Sequence, residues 1–169
     1  MTLVVEITNQ TGDWAGLNDE SVDAAAQAVW RDVMERGECE VSVVLADDAF
    51  VQDLNARFRG ADKPTNVLSF PMDAAPEDAA DSLPTGQAGR RHLGDIVLAS
   101  ETIQREAVTQ NKSFSDHARH LVVHGVLHLL GWDHEEDAAA TRMERREIKI
   151  LAGLNIADPY VVAPSEALS

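Results

Sequence analysis

One cysteine, Cys39, stands in a chain of 169 residues, so no internal disulfide and no cysteine-based zinc cluster can form; any metal site must use histidine and carboxylate. Long apolar runs are missing too, and none approaches the roughly 20 residues needed to cross a bilayer. The N-terminal residues MTLVVEITNQ lack the basic and apolar regions of a secretory leader, so a cytoplasmic, membrane-free location is expected. Positive charge is scarce: 14 Lys and Arg against 29 Asp and Glu give a net charge of −15. That balance argues at first sight against nucleic acid, so any RNA must be met locally, as in a basic cleft on an acidic body. Acidic residues crowd at Asp73, Glu77, Asp78 and Asp81, while Arg57, Arg59, Lys63, Arg90 and Arg91 gather elsewhere.

What is present suits one soluble domain spanning residues 1–169, with 44% apolar and 25% charged residues and no repeat or linker. Residues 2–8 read as a first strand, and 19–36 as a helix with Val22, Ala26, Val29 and Val33 on one face. Val41, Val43 and Leu45 alternate as a half-buried strand does. Asp47 or Asp48 can cap a following helix that Gly60 to Pro64 breaks. Residues 67–70 are a short strand, 71–92 a loop rich in proline and glycine, and 93–100 the fourth strand. Ser100 can cap a helix to about Gln110, and Ser113 or Ser115 another that Gly131 ends; a last helix spans about 136–152. The expected class is α+β: a mixed four-stranded sheet with about five helices, since strands and helices do not strictly alternate.

Chemistry concentrates between residues 124 and 134. His124 and His128 are four apart on a helix, so both imidazoles project from one face, about 5–6 Å apart at Cβ. Gly131 lets the chain leave the helix in a left-handed turn and return His134 as a third ligand. Three histidines with a fourth position for water are the pattern of a catalytic zinc, whereas structural zinc is normally closed by four protein ligands. His117 and His120 share the helical face and are expected to support the ligands or to be solvated rather than to bind metal. Asp133 can orient an imidazole, take a proton or cap the turn.

The spacing matches H-E-x-x-H-x-x-G-x-x-H of the metzincin proteases except that Gly125 replaces their glutamate. That glutamate is the base for peptide hydrolysis, and glycine cannot take a proton, which disfavours a protease.

The segment from His124 to His134 also resembles the signature of the YbeY family, bacterial zinc-dependent endoribonucleases of ribosomal RNA maturation and ribosome quality control. LNARFRGADKPTNVLSFP at 54–71, LGDI at 93–96 and Asp158-Pro159-Tyr160 resemble further family segments in the right order. Phe58 and Trp132 stand where the family commonly has tyrosine, and the acidic stretch between Pro71 and Leu93 is long for it. The resemblance implies one zinc on His124, His128 and His134, catalytic roles for Arg59 and His124, and substrate binding by Arg59. It also implies RNA cleavage at the 3′ end of the small-subunit ribosomal RNA, with the ribosome or its associated proteins as partners. A guanidinium offers phosphate a planar fork of donors, although for an isolated arginine a surface ion pair is the plainer reading. Ser69 and Asn66 can hydrogen-bond substrate, but polar residues at strand ends usually serve the backbone. The general base stays open among Asp133, a substrate 2′-hydroxyl and direct attack by water on the metal. Two rivals remain: a non-catalytic ribosome-assembly module closed around a structural zinc by a fourth protein ligand, and a zinc hydrolase of other substrates.

Overall fold

In the computed structural model, residues 2–33, 37–72, 91–132 and 136–160 are described. β1 (Thr2–Asn9) lies parallel to β2 (Glu38–Ala46), in a register that sets Val5 beside Val41. β4 (Arg91–Ala99) adds on parallel to β2, and β3 (Val67–Pro71) closes the sheet antiparallel to β4, giving the order β1-β2-β4-β3. The mixed four-stranded sheet and α+β class expected from the sequence are what forms.

Five helices accompany it among the described residues: α1 (Asp19–Val33), α2 (Asp48–Arg59), α3 (Ser100–Thr109), α4 (Phe114–Leu129) and α5 (Asp137–Gly153). Alternation decides which face each covers. Val41, Val43, Ile96 and Leu98 point toward α1, α4 and α5, and with Val22, Val29, Val122, Val126, Met143 and Leu151 they form the main core. Val97, Ala99 and Leu68 point the other way and meet Val51, Phe50 and Leu54 of α2. Most of α4 is buried around its whole circumference, so it is the central helix, and His124 and His128 lie on its second half.

Three boundaries differ from expectation. β2 begins at Glu38, because Cys39 and Glu40 pair with Arg91 and His92, and the same pairing turns the end of the expected 71–92 loop into strand. Pro71 likewise belongs to β3, while residues 73–90 of that loop lie outside the described residues. Ser100 does not cap α3: its hydroxyl is buried, and Asp48 of α2 takes over, accepting from the backbone N–H of Thr102 at 2.9 Å. Asp47 caps α2 through Phe50 N–H at 2.9 Å, and Ser113 caps α4 through Asp116 N–H at 3.0 Å. Gly60, at φ 70°, ends α2 in the left-handed region that glycine adopts without strain, which sends the chain off directly after Arg59.

Candidate functional site

α4 presents His124 and His128 one turn apart, with ring centroids 6.3 Å apart and planes inclined by 24°. Each ring is held at Nδ1 by a fixed acceptor. His124 Nδ1 lies 2.6 Å from Glu147 Oε1 of α5, and His128 Nδ1 lies 2.9 Å from the main-chain oxygen of Trp132. A carbonyl oxygen can only accept, so His128 carries its proton on Nδ1 and its lone pair on Nε2. The Glu147 carboxylate imposes the same tautomer on His124. Imidazoles oriented in this way are what a metal ligand requires, because the outer bond fixes the ring and raises its basicity. The donor chemistry therefore fits a metal held at the two Nε2 atoms.

His134 and Asp133 lie outside the described residues, and among those that are described no three His, Cys, Asp or Glu side chains gather as a metal cage. Gly131, at φ 98°, makes the left-handed exit from the helix that returns the chain toward that segment.

Glu147 is a functional candidate that sequence reasoning missed. It is 0% exposed, and burial alone would push its carboxyl pKa up. Hydrogen bonds from His120, His124 and Tyr160 outweigh burial and hold the value down at about 2. Tyr160 donates its hydroxyl to Oε2, and the same bond together with burial raises the phenol far above its usual range. His120 stands 3.7 Å from Oε1 and edge-on to the Tyr160 ring. A signal was present in the sequence: Glu147 shares one helical stripe with Met143, Ile150 and Leu151, all buried, where a carboxylate needs partners.

Arg59 ends α2 and turns across β3. Its Nη2 donates to the Ser69 main-chain oxygen at 2.6 Å, and its guanidinium stacks over the Phe70 ring at 5.3 Å. A main-chain carbonyl and a ring hold it, in place of the surface carboxylate that a plain ion-pair reading would supply. A cavity of about 600 Å³ brings Arg59, Lys63, Asn66, Glu106, His124 and His128 together. Asn66 donates to Glu106 Oε1 at 3.0 Å, so it serves this carboxylate. His117 Nε2 lies 2.8 Å from the same oxygen. Burial lowers the His117 pKa, and the Glu106 contact offsets that in part. Thus His117 faces Glu106, His120 faces Glu147, and His124 and His128 face the cavity.

Gly125 has a spatial reason. A Cβ there would lie 3.0 Å from Cδ1 of the fully buried Ile96, so α4 rests on β4 so closely that any side chain would press Ile96 aside by a few tenths of an ångström.

A sequence model of the family described as Endoribonuclease YbeY matches residues 6–155. The chain belongs to that family. An "Endoribonuclease YbeY" of Parvibaculum lavamentivorans is 49% identical over 158 residues, covering 94% of this chain and 85% of the relative. Another, from Magnetococcus marinus, is 53% identical over 123 residues, covering 72% and 83%. A protein of Thermotoga maritima solved in solution shares the fold, with a TM-score of 0.55 at 23% identity over 95% of this chain and 98% of that one. Relatives named endoribonuclease make this chain a member of an RNA-hydrolysing YbeY family, and no described helix is long and apolar enough to cross a membrane.

Proposed function

We propose that residues 1–169 act as one metal-dependent endoribonuclease domain, cutting single-stranded RNA in ribosomal RNA maturation and ribosome quality control, including the 3′ end of the small-subunit RNA. His124, His128 and His134 hold a single zinc in this reading, and the protein works in the cytoplasm with the ribosome or its associated proteins as partners. The observation that carries the metal is the pair of imidazoles fixed at Nδ1 by Glu147 and Trp132, both lining the cavity that holds Arg59. When bound, the metal supplies Lewis acidity toward a phosphoryl oxygen.

The chain's own residues do the rest. Arg59, braced by Ser69 and Phe70, presents its remaining donors to phosphate and stabilises the negative charge that develops there. Lys63 lines the same cavity and adds positive potential to a strongly acidic molecule. Glu147 fixes the His124 ring at Nδ1, which leaves Nε2 as the nitrogen that can take the metal, and His120 and Tyr160 hold Glu147. The His124 side chain keeps 21% exposure on the cavity, which favours a working ion over the enclosed structural zinc of an assembly module. A peptidase is disfavoured because Gly125 supplies no base and packs closely on Ile96.

Metal analysis of purified protein, with cleavage of single-stranded and structured RNA with and without chelator, tests the proposal. One zinc per chain and chelator-sensitive cleavage are expected, with His128→Ala losing the metal and much thermal stability. A 2′,3′-cyclic phosphate end would identify the substrate 2′-hydroxyl as nucleophile. Undiminished zinc in His128→Ala, or equal cleavage in chelator, overturns the assignment.

A further inference from the structure

The outer face of α5 carries a feature that the cavity chemistry does not use. Arg142, Arg145, Arg146 and Lys149 recur at helical spacing and so lie along one face, with Glu144 off that stripe and Glu147 turned into the protein. Four of the chain's 14 cations thus fall within eight residues, in a molecule of net charge −15. Together with Trp132 they line a groove of about 320 Å³. Arg146 stacks over the Trp132 ring at 5.1 Å and donates to Asp32 at 2.7 Å, while Lys149 Nζ lies 3.3 Å from the other oxygen of Asp32. Among the described residues Asp32 is the one carboxylate paired with this face, and it meets Arg146 and Lys149, two of the four cations.

The groove is tied to the candidate metal centre on two sides. Trp132, its floor, accepts from His128 through its main-chain oxygen; Glu147, between Arg146 and Lys149 in the chain, holds His124.

We propose that this groove is a binding tract for the phosphodiester backbone of single-stranded RNA lying beyond the bond that is cut. The inference rests on the endoribonuclease reading and adds a second site to it. Three considerations favour RNA backbone. A polyanion is repelled by most of a surface at −15 and settles where the sign reverses. The stripe extends about 10 Å along the helix, which suits a ligand with charges repeated along a line. Three of the four cations are arginines, whose forks fit phosphate oxygens in pairs. Base stacking is not invoked, because the Arg146 guanidinium already covers the indole.

The test uses zinc-loaded full-length protein and a fluorescent 2′-O-methyl RNA 20-mer, with affinity followed by anisotropy from 50 to 200 mM KCl. Cleavage of an unmodified RNA pentamer is measured alongside. Arg142→Glu/Arg145→Glu is expected to weaken 20-mer binding about tenfold and to reduce the magnitude of the log–log salt slope by about 1.4, two single-strand contacts at roughly 0.7 each. Arg142→Lys/Arg145→Lys is expected to keep most of the affinity, since positive charge is retained. Unchanged affinity and slope in the glutamate variant, with the wild type still cutting the pentamer, overturn the tract and leave the nuclease reading standing. A wild type that neither binds the 20-mer nor cuts the pentamer overturns both. Capture of polyglutamate with no RNA affinity marks a dock for an acidic protein and also overturns the proposal.

Discussion

Replacing Glu147 with glutamine changes one atom in a fully buried side chain, and its consequences follow from the three groups around it. The carboxylate takes His124 Nδ1 at 2.6 Å on one oxygen and the Tyr160 hydroxyl on the other, with His120 at 3.7 Å. A neutral amide offers one acceptor and one donor group. Its oxygen can still face His124, and the Tyr160 hydroxyl can rotate to accept from its NH2, so both bonds survive in weaker, uncharged form. Charge-assisted bonds are roughly twice as strong as neutral ones, so the metal-free protein should lose about 1–2 kcal/mol. The larger effect falls on the metal. Without an anionic acceptor the His124 ring is a poorer base and less firmly held, which typically lowers metal affinity about 10–100-fold, or about 1.4–2.8 kcal/mol.

Glu147→Ala differs in kind, because it leaves the partly exposed His124 and Tyr160 donors without their acceptor and empties a fully buried position, and should cost about 2–4 kcal/mol whether or not metal is present. Zinc competition against a chromophoric chelator measures the first effect, and thermal unfolding in excess chelator measures the second. Wild-type zinc affinity in Glu147→Gln would show that the carboxylate does not act through a liganding His124. Equal destabilisation by Gln and Ala would reduce Glu147 to a structural acid.

Arg59→Ala should keep full zinc and lose only about 1–2 kcal/mol of stability, from the Ser69 hydrogen bond and the Phe70 stack, while single-turnover RNA cleavage falls by about 10²–10³, with Arg59→Lys only partly restored; loss of zinc instead would make this arginine part of the fold. Gly125→Ala should destabilise by about 1 kcal/mol despite alanine's better helix propensity, because its Cβ presses on Ile96, and Ile96→Val should relieve part of the loss in urea titrations; a Gly125→Ala protein more stable than wild type refutes the close approach. Asp48→Asn should cost about 1 kcal/mol at neutral pH, since burial raises the Asp48 pKa but Arg105 and Thr102 bring it below the ordinary value. A depressed folded pKa stabilises above the unfolded value near 3.9 and loses that contribution as pH falls through the folded one, so the gap to wild type should narrow below about pH 4 in stability measurements; a constant gap from pH 7 to pH 3 refutes it.

Elements whose signals are local were legible in the sequence. The His124 and His128 spacing, the glycine after α4, the caps Asp47 and Ser113 and the alternation in β2 each depend on residues within about one or two turns of one another. What was hidden depends on meetings across the chain. Glu38 to Glu40 carry acid at every second position, and they are strand only because Arg91 and His92 align beside them and His92 lies 3.4 Å from Glu40. Ser100 looked like a cap, yet the acceptor for α3 arrives from Asp48, 54 positions away from Thr102 in sequence. The same logic governs the candidate centre. Glu147 and Tyr160 lie 23 and 36 residues beyond His124, on a helix and tail whose packing no local pattern specifies. Asp158 shapes that tail, accepting the Tyr160 N–H at 2.8 Å in a tight turn around Pro159, and the turn is what brings the phenol back onto α5. The short Asp158-Pro159-Tyr160 segment is therefore joined to His124 of the candidate centre through one buried carboxylate, which gives a physical reason for a match that sequence alone could register but not explain.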